Sequence, residues 1–169
     1  NELLIKKRAL AKGLFVPTAI GGSELSGALI KDQDSKDLTI EEVDLFETGK
    51  DFEEYVAVRI KRFSLKVSLT QESFDYGADL IVENKRSEKT AIIQCKHRAN
   101  KDRAVSPHAA EEVLKAQSHY SLETPLLFIV SNAQSVTASC REKCENGNIY
   151  TILRDDLLRV GEIIRDYLQ

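Results

Sequence analysis

The hydrophobic positions of this chain change their spacing along its length. Between Thr48 and Phe63, the residues Phe52, Tyr55, Val56, Ile60 and Phe63 recur near the helical repeat. That predicts a helix with one buried stripe, opened by Thr48 as its capping residue. Lys66 to Leu69 is a short strand candidate. Ala78 to Glu83 and Thr90 to His97 are predicted strands joined by the polar stretch Asn84 to Lys89. The stretch is symmetric about the Arg86–Ser87 bond. The two strands therefore read as an antiparallel hairpin with Asp79 opposite Gln94.

Beyond the hairpin the pattern alternates between the two periods. Ser106-Pro107 reads as a helix start, with the Ser106 hydroxyl as cap and proline at the first position; the helix runs to about Tyr120. Leu126 to Ser131 is almost continuously apolar, as suits a strand covered on both faces. Ser135 is read as the opening of another helix, closed by Asn146-Gly147. Ile149 to Leu153 is a strand. Asp155 to Leu168 is a final helix with Leu158, Ile163, Ile164 and Tyr167 facing the core. A strand meander followed by alternating helices and strands predicts an α/β fold, a mixed sheet flanked by helices.

Residues 1–45 read as an N-terminal helical extension or linker, and residues 46–169 as the domain. Glu2 to Lys12 is a helix candidate, Gly21 to Asp37 a polar connector, and Thr39 with Glu42 a capping box.

Composition adjusts this picture modestly. The chain has 169 residues, 42% hydrophobic and 30% charged, as an ordinary globular domain has. It has no apolar run of membrane-spanning length and no signal-peptide pattern, so a cytoplasmic location is expected. It begins at Asn1 and contains no methionine, which suggests a piece of a longer protein. The net charge of −3 leans away from nucleic acid as partner. Positive charge is instead local: Arg59, Lys61, Arg62 and Lys66, then Lys96, His97, Arg98, Lys101 and Arg103. The cysteines are Cys95, Cys140 and Cys144, an odd count that argues against a disulfide framework. With His97 they offer a zinc set in principle, but the usual tight spacing is absent; buried core thiols are expected.

Three segments carry the chemistry: Phe52-Glu53 on the first long helix, Gly77-Ala78-Asp79 entering the second strand, and Gln94-Cys95-Lys96 on the third. Alternate strand residues share a face, so Gln94 and Lys96 point the same way. The hairpin register adds Asp79. Glu53 lies at the margin of its helix's apolar stripe, better placed than Glu54 to look toward the sheet. A carboxylate and an amide oxygen together suit a hard divalent cation. Asp79 would be the main ligand, helped by Gln94, the Cys95 backbone carbonyl and Glu53. Lys96 would orient water and offset phosphate charge. Taken singly, each residue has a structural role as an alternative: a turn aspartate, a snorkelling lysine, a favourable charge near a helix start.

The runs Phe52-Glu53-Glu54-Tyr55-Val56, Gly77-Ala78-Asp79-Leu80-Ile81 and Ile93-Gln94-Cys95-Lys96 resemble the catalytic domain of Mrr-type restriction endonucleases, within the PD-(D/E)XK nucleases. Leu127-Phe128-Ile129-Val130-Ser131-Asn132, a helix with Ala138, and Gly147 before a strand ending near Arg154 are similar to the family's last strand-helix-strand. The resemblance implies a restriction-endonuclease-like fold with helices on both sheet faces. It implies Asp79 as metal ligand, Gln94 at the position usually acidic, Lys96 as catalytic lysine and Glu53 as first-helix glutamate. Gln117 falls where members often carry a polar residue. It further implies Mg2+ (or Mn2+), DNA as substrate, defence against foreign DNA, fusion to or action with a recognition or NTPase module, and a homodimer for double-strand cutting. The alternatives are a junction-resolving or RNA nuclease, and a non-catalytic module binding nucleic acid or protein.

Overall fold

The computed structural model describes residues 38–70 and 77–169. The expected helix at Glu2 to Lys12 and the connector at Gly21 to Asp37 lie outside the described residues. Five strands form one sheet in the order β1 (Lys66–Leu69), β2 (Leu80–Glu83), β3 (Thr90–Lys96), β4 (Leu126–Ser131), β5 (Ile149–Ile152). β2 runs antiparallel to both β1 and β3, and β3, β4 and β5 are mutually parallel. The sheet is thus mixed, as the alternation of elements predicts.

The helices are α1 (Ile40–Asp44), α2 (Gly49–Lys61), α3 (His108–Tyr120), α4 (Ala138–Asn146) and α5 (Val160–Tyr167). Two starts follow the expected chemistry. Thr39 and Glu42 form a capping box on α1, and Thr48 caps α2 with Asp51 returning the bond. Two starts differ. Ser106 makes no side-chain cap for α3; its backbone carbonyl takes the Ala109 amide instead. For α4 the cap is Thr137, whose hydroxyl accepts from Cys140 N at 3.1 Å. Ser135 is engaged elsewhere, its carbonyl accepting from Val105 N.

The final helix also begins later than expected. Arg154–Arg159 is a 3-10 segment, and only Val160–Tyr167 is α-helical. Three residues per turn shifts the buried phase, so Leu157 rather than Leu158 is fully covered. Tyr167, expected in the core, is 40% exposed and packs on Phe128 and Tyr150.

Alternation along the strands builds two apolar layers. Leu80, Val82, Ala91, Ile93, Cys95, Phe128 and Val130 face α2 and α5, where Phe52, Tyr55, Ile60 and Ile164 are buried. Leu38, Val43 and Phe46 join this layer. Ile92, Leu127 and Ile129 face α3 and α4, meeting Ala109, Ala110, Val113, Ala116, Cys140 and Cys144. Helices therefore cover both faces. The sheet places Cys95 in one layer and Cys140 with Cys144 in the other, so Cys95 shares no site with the other two. All three are buried and free.

Candidate functional site

The hairpin register pairs Leu80 with Ile93, Ile81 with Ile92 and Val82 with Ala91. Asp79, one residue before β2, therefore stands opposite Gln94. The ladder continues irregularly past the strand end, with Asp79 N donating to Ile93 O at 3.0 Å. Because Leu80, Ile93 and Cys95 face α2, the residues Asp79, Gln94 and Lys96 face α3.

Hydrogen bonds join the first two. Gln94 Nε2 donates to Asp79 Oδ2 at 2.7 Å, and Cys95 N donates to the same oxygen at 2.6 Å. Such short bonds to a carboxylate are charge-assisted. Asp79 and Gln94 are 9% and 2% exposed, so the pair is desolvated. A carboxylate can only accept, which fixes the amide with nitrogen toward Asp79. Gln94 Oε1 is then turned away, buried, and without a hydrogen-bond partner among the described residues. An orphaned buried acceptor beside a carboxylate is costly unless something with positive charge completes it. The N–H and C=O of one strand residue share an edge, so the Cys95 carbonyl projects beside Asp79, past the end of β2.

Lys96 extends from the last position of β3 toward α3. Its Nζ lies 2.6 Å from Glu112 Oε2. Glu112 is a residue at the site that the motifs of the sequence do not single out. The available signal was its spacing, three residues after Ala109 and four before Ala116, which puts an acid on the small-residue stripe. Gln117 is exposed, about 140° around the helix from Glu112.

Glu53 approaches β3 from the other side. It rides on α2, in the opposite layer, and is half-buried. Its field nevertheless reaches β3. The Cys95 thiol is pushed well up by burial, then by Asp79 and Glu53, with Lys96 acting against them. Cys95 thus stays a protonated thiol. Glu54 is raised by burial.

The strand after the site is held firmly. Ser131 Oγ donates to Lys96 O at 2.5 Å. Asn132 Oδ1 accepts from Arg98 N at 2.7 Å, while its Nδ2 donates to Arg98 O and Asp44 Oδ1. Arg154 Nη1 meets Asp44 at 2.7 Å. The ring of His97 packs on Phe46 and Phe52, with Nε2 3.2 Å from Val43 O. These contacts gather at the C-terminal ends of β3 and β4, the end of a parallel sheet where sites form.

Among the described residues no group of three His, Cys, Asp or Glu side chains could hold a metal ion. The Asp79–Gln94 pair differs from such a group because one of its oxygen donors is an amide. It fits a hard cation by chemistry and by the orphaned oxygen.

Several solved structures are similar to this chain. A protein of unknown function, AF1548, is 14% identical, with a TM-score of 0.48, over 63% of this chain and 62% of that one. A repair endonuclease from Pyrococcus abyssi is 15% identical, with a TM-score of 0.43, over 63% of this chain and 46% of that one. The MspJI restriction endonuclease in complex with a 27-mer oligonucleotide is 18% identical, with a TM-score of 0.49, over 86% of this chain and 34% of that one. The chain thus spans less than two thirds of each. No curated protein matches it. Among the described residues no helix is long and apolar enough to cross a membrane. The family model of the restriction endonuclease catalytic domain, Mrr type, matches residues 46–160. That span contains the hairpin, the bonded Asp79–Gln94 pair, Lys96 on the same strand, and the strand-helix-strand that follows them, and the chain belongs to this nuclease family.

Proposed function

We propose that this domain is a Mg2+-dependent (or Mn2+-dependent) endonuclease that hydrolyses DNA phosphodiester bonds in defence against foreign DNA. The observation that carries the reading is the buried Asp79–Gln94 pair, whose amide oxygen has no hydrogen-bond partner among the described residues. Asp79 and the Cys95 carbonyl would hold the cation, with Gln94 Oε1 brought to it by rotation of the amide. Glu53, from the other layer, would act through water or on a second ion. A bound Mg2+ would supply positive charge at the phosphate and a more acidic water.

The rest falls to the chain's own groups. Lys96 holds an ammonium on the same face as Asp79 and keeps a water in line with the scissile phosphorus. Its charge also offsets the charge that builds on the phosphate oxygens. The Cys95 amide and the Gln94 amide group fix the Asp79 carboxylate before substrate arrives, so little reorganisation accompanies the reaction. Cutting both strands of a duplex calls for two such sites, so we propose a homodimer that is fused to or acts with a recognition or NTPase module.

The test is cleavage of duplex DNA, branched DNA and RNA side by side, with Mg2+ and with Mn2+. Wild type should cut duplex DNA, and Lys96→Ala or Asp79→Asn should lower the rate about 100-fold or more. Equal cleavage by wild type and Lys96→Ala overturns the enzymatic reading. Preference for branched DNA or RNA replaces the substrate.

A further inference from the structure

We propose that Glu112 is the positioning residue for Lys96 and affects the cleavage step only through that ammonium. The proposal rests on the nuclease reading above.

Glu112 stands in the first turns of α3, a helix fixed to the sheet by Ala109, Ala110, Val113 and Ala116. Its Oε2 is buried, makes no hydrogen bond among the described residues, and meets Lys96 Nζ at 2.6 Å as an ion pair, with the two side chains 20% and 25% exposed. Its backbone is fixed from the other side. A methyl group on Gly77 would meet the Glu112 carbonyl oxygen at 2.1 Å, so the segment leading to Asp79 runs directly over this residue. Glu112 therefore touches both the approach to Asp79 and the end of Lys96.

Its two oxygens differ in setting. Oε1 lies 3.3 Å from Nε2 of His108, an exposed side chain, and so looks toward water. Oε2 looks inward to Lys96. The adjacent Glu111 is half-exposed and pairs with Lys143 at 2.8 Å, an ordinary surface ion pair. Lysine is a flexible, strongly hydrated cation that turns to water when nothing holds it. A carboxylate with one buried oxygen, on a helix packed against the sheet, holds it on the α3 side of β3.

The full chain is the sample, with Glu112→Gln and Glu112→Asp as variants. In steady-state cleavage of duplex DNA with Mg2+, Glu112→Gln should lower kcat about tenfold with KM unchanged, and Glu112→Asp should recover most of it. A second readout needs no activity. Trace acylation by an amine-selective ester, read by mass spectrometry, should label Lys96 several-fold faster in Glu112→Gln, with Lys89 and Lys115 unchanged. Wild-type kcat in Glu112→Gln overturns the proposal, as does unchanged labelling of Lys96. A uniform rise at all lysines also overturns it, because it reports a loosened fold. If wild type shows no Lys96-dependent cleavage, the nuclease reading falls and takes the cleavage role of Glu112 with it. The labelling then still decides whether Glu112 holds Lys96.

Discussion

Gly77 is pressed against the backbone of Glu112, so closely that a β-carbon would lie 2.1 Å from the carbonyl oxygen and 2.8 Å from the α-carbon. Its φ is +91°, a conformation that L side chains rarely adopt. Strain and overlap both oppose any side chain. Gly77→Ala should destabilise the domain by about 2–4 kcal/mol, the sum of a strained backbone and an overpacked contact. It should also weaken cleavage beyond what the stability loss explains, since Asp79 is two residues away. Chemical denaturation and cleavage rates measured on the same sample check both effects. A variant as stable as wild type would show that the loop moves aside freely.

Replacing Gln94 by Glu tests the amide. Gln94 Nε2 gives Asp79 Oδ2 a bond at 2.7 Å; a glutamate would set a second carboxylate there. Without divalent cation the two would repel or share a proton. Gln94→Glu should lose about 1–3 kcal/mol of stability in chelator. Mg2+ should then raise its Tm more than it raises that of wild type. Equal Tm shifts for both proteins would speak against cation binding at this pair.

His97 and Asp44 predict two separate acid windows. Burial pushes the His97 pKa down, against Val43 O, Asp44 and Asp51. The unfolded chain then binds the proton first, so stability is full above about pH 6.5 and declines as pH falls below it. His97→Phe should remove that decline. For Asp44 burial acts upward, but Arg154 and Asn132 together outweigh it and hold the carboxyl below its ordinary range. Its contribution is present above about pH 4 and lost as pH falls further. Asp44→Asn should flatten this lower window and, by removing a charge that raises His97, deepen the upper one. Urea midpoints measured from pH 3 to pH 8 separate the two.

Asn132 is fully buried and joins Arg98, Asp44 and the end of β4. Asn132→Ala leaves the Arg98 amide and carbonyl without that partner. A loss of about 2–4 kcal/mol is expected, visible as a lower denaturant midpoint at unchanged slope. A loss under about 0.5 kcal/mol would mean that water replaces the amide.

The hairpin was legible in the sequence because its register depends on local symmetry and on alternation, both readable from Asn84 to Lys89 and the flanking strands. The Thr39 and Thr48 caps were legible for the same reason. Glu112 was not, because which face of α3 meets β3 is decided by tertiary packing of its alanines. The position of Glu53 shows the same limit. Its place on the stripe margin was readable, but not that α2 packs on the opposite side of β3 from Gln94. The late start of α5 reflects a 3-10 turn at Arg154–Arg159, and apolar spacing does not distinguish that from an α-helical start.

Strand β3 is hydrogen-bonded along both edges, antiparallel to β2 and parallel to β4. Its amides therefore belong to the part of the molecule that exchanges with solvent last. Of the groups proposed for chemistry, Gln94, Cys95 and Lys96 are thus carried by the backbone expected to open last. If the proposed substrate is a DNA duplex, adjustment to it would come from side chains and from the flanking loops, while the platform beneath them keeps its shape.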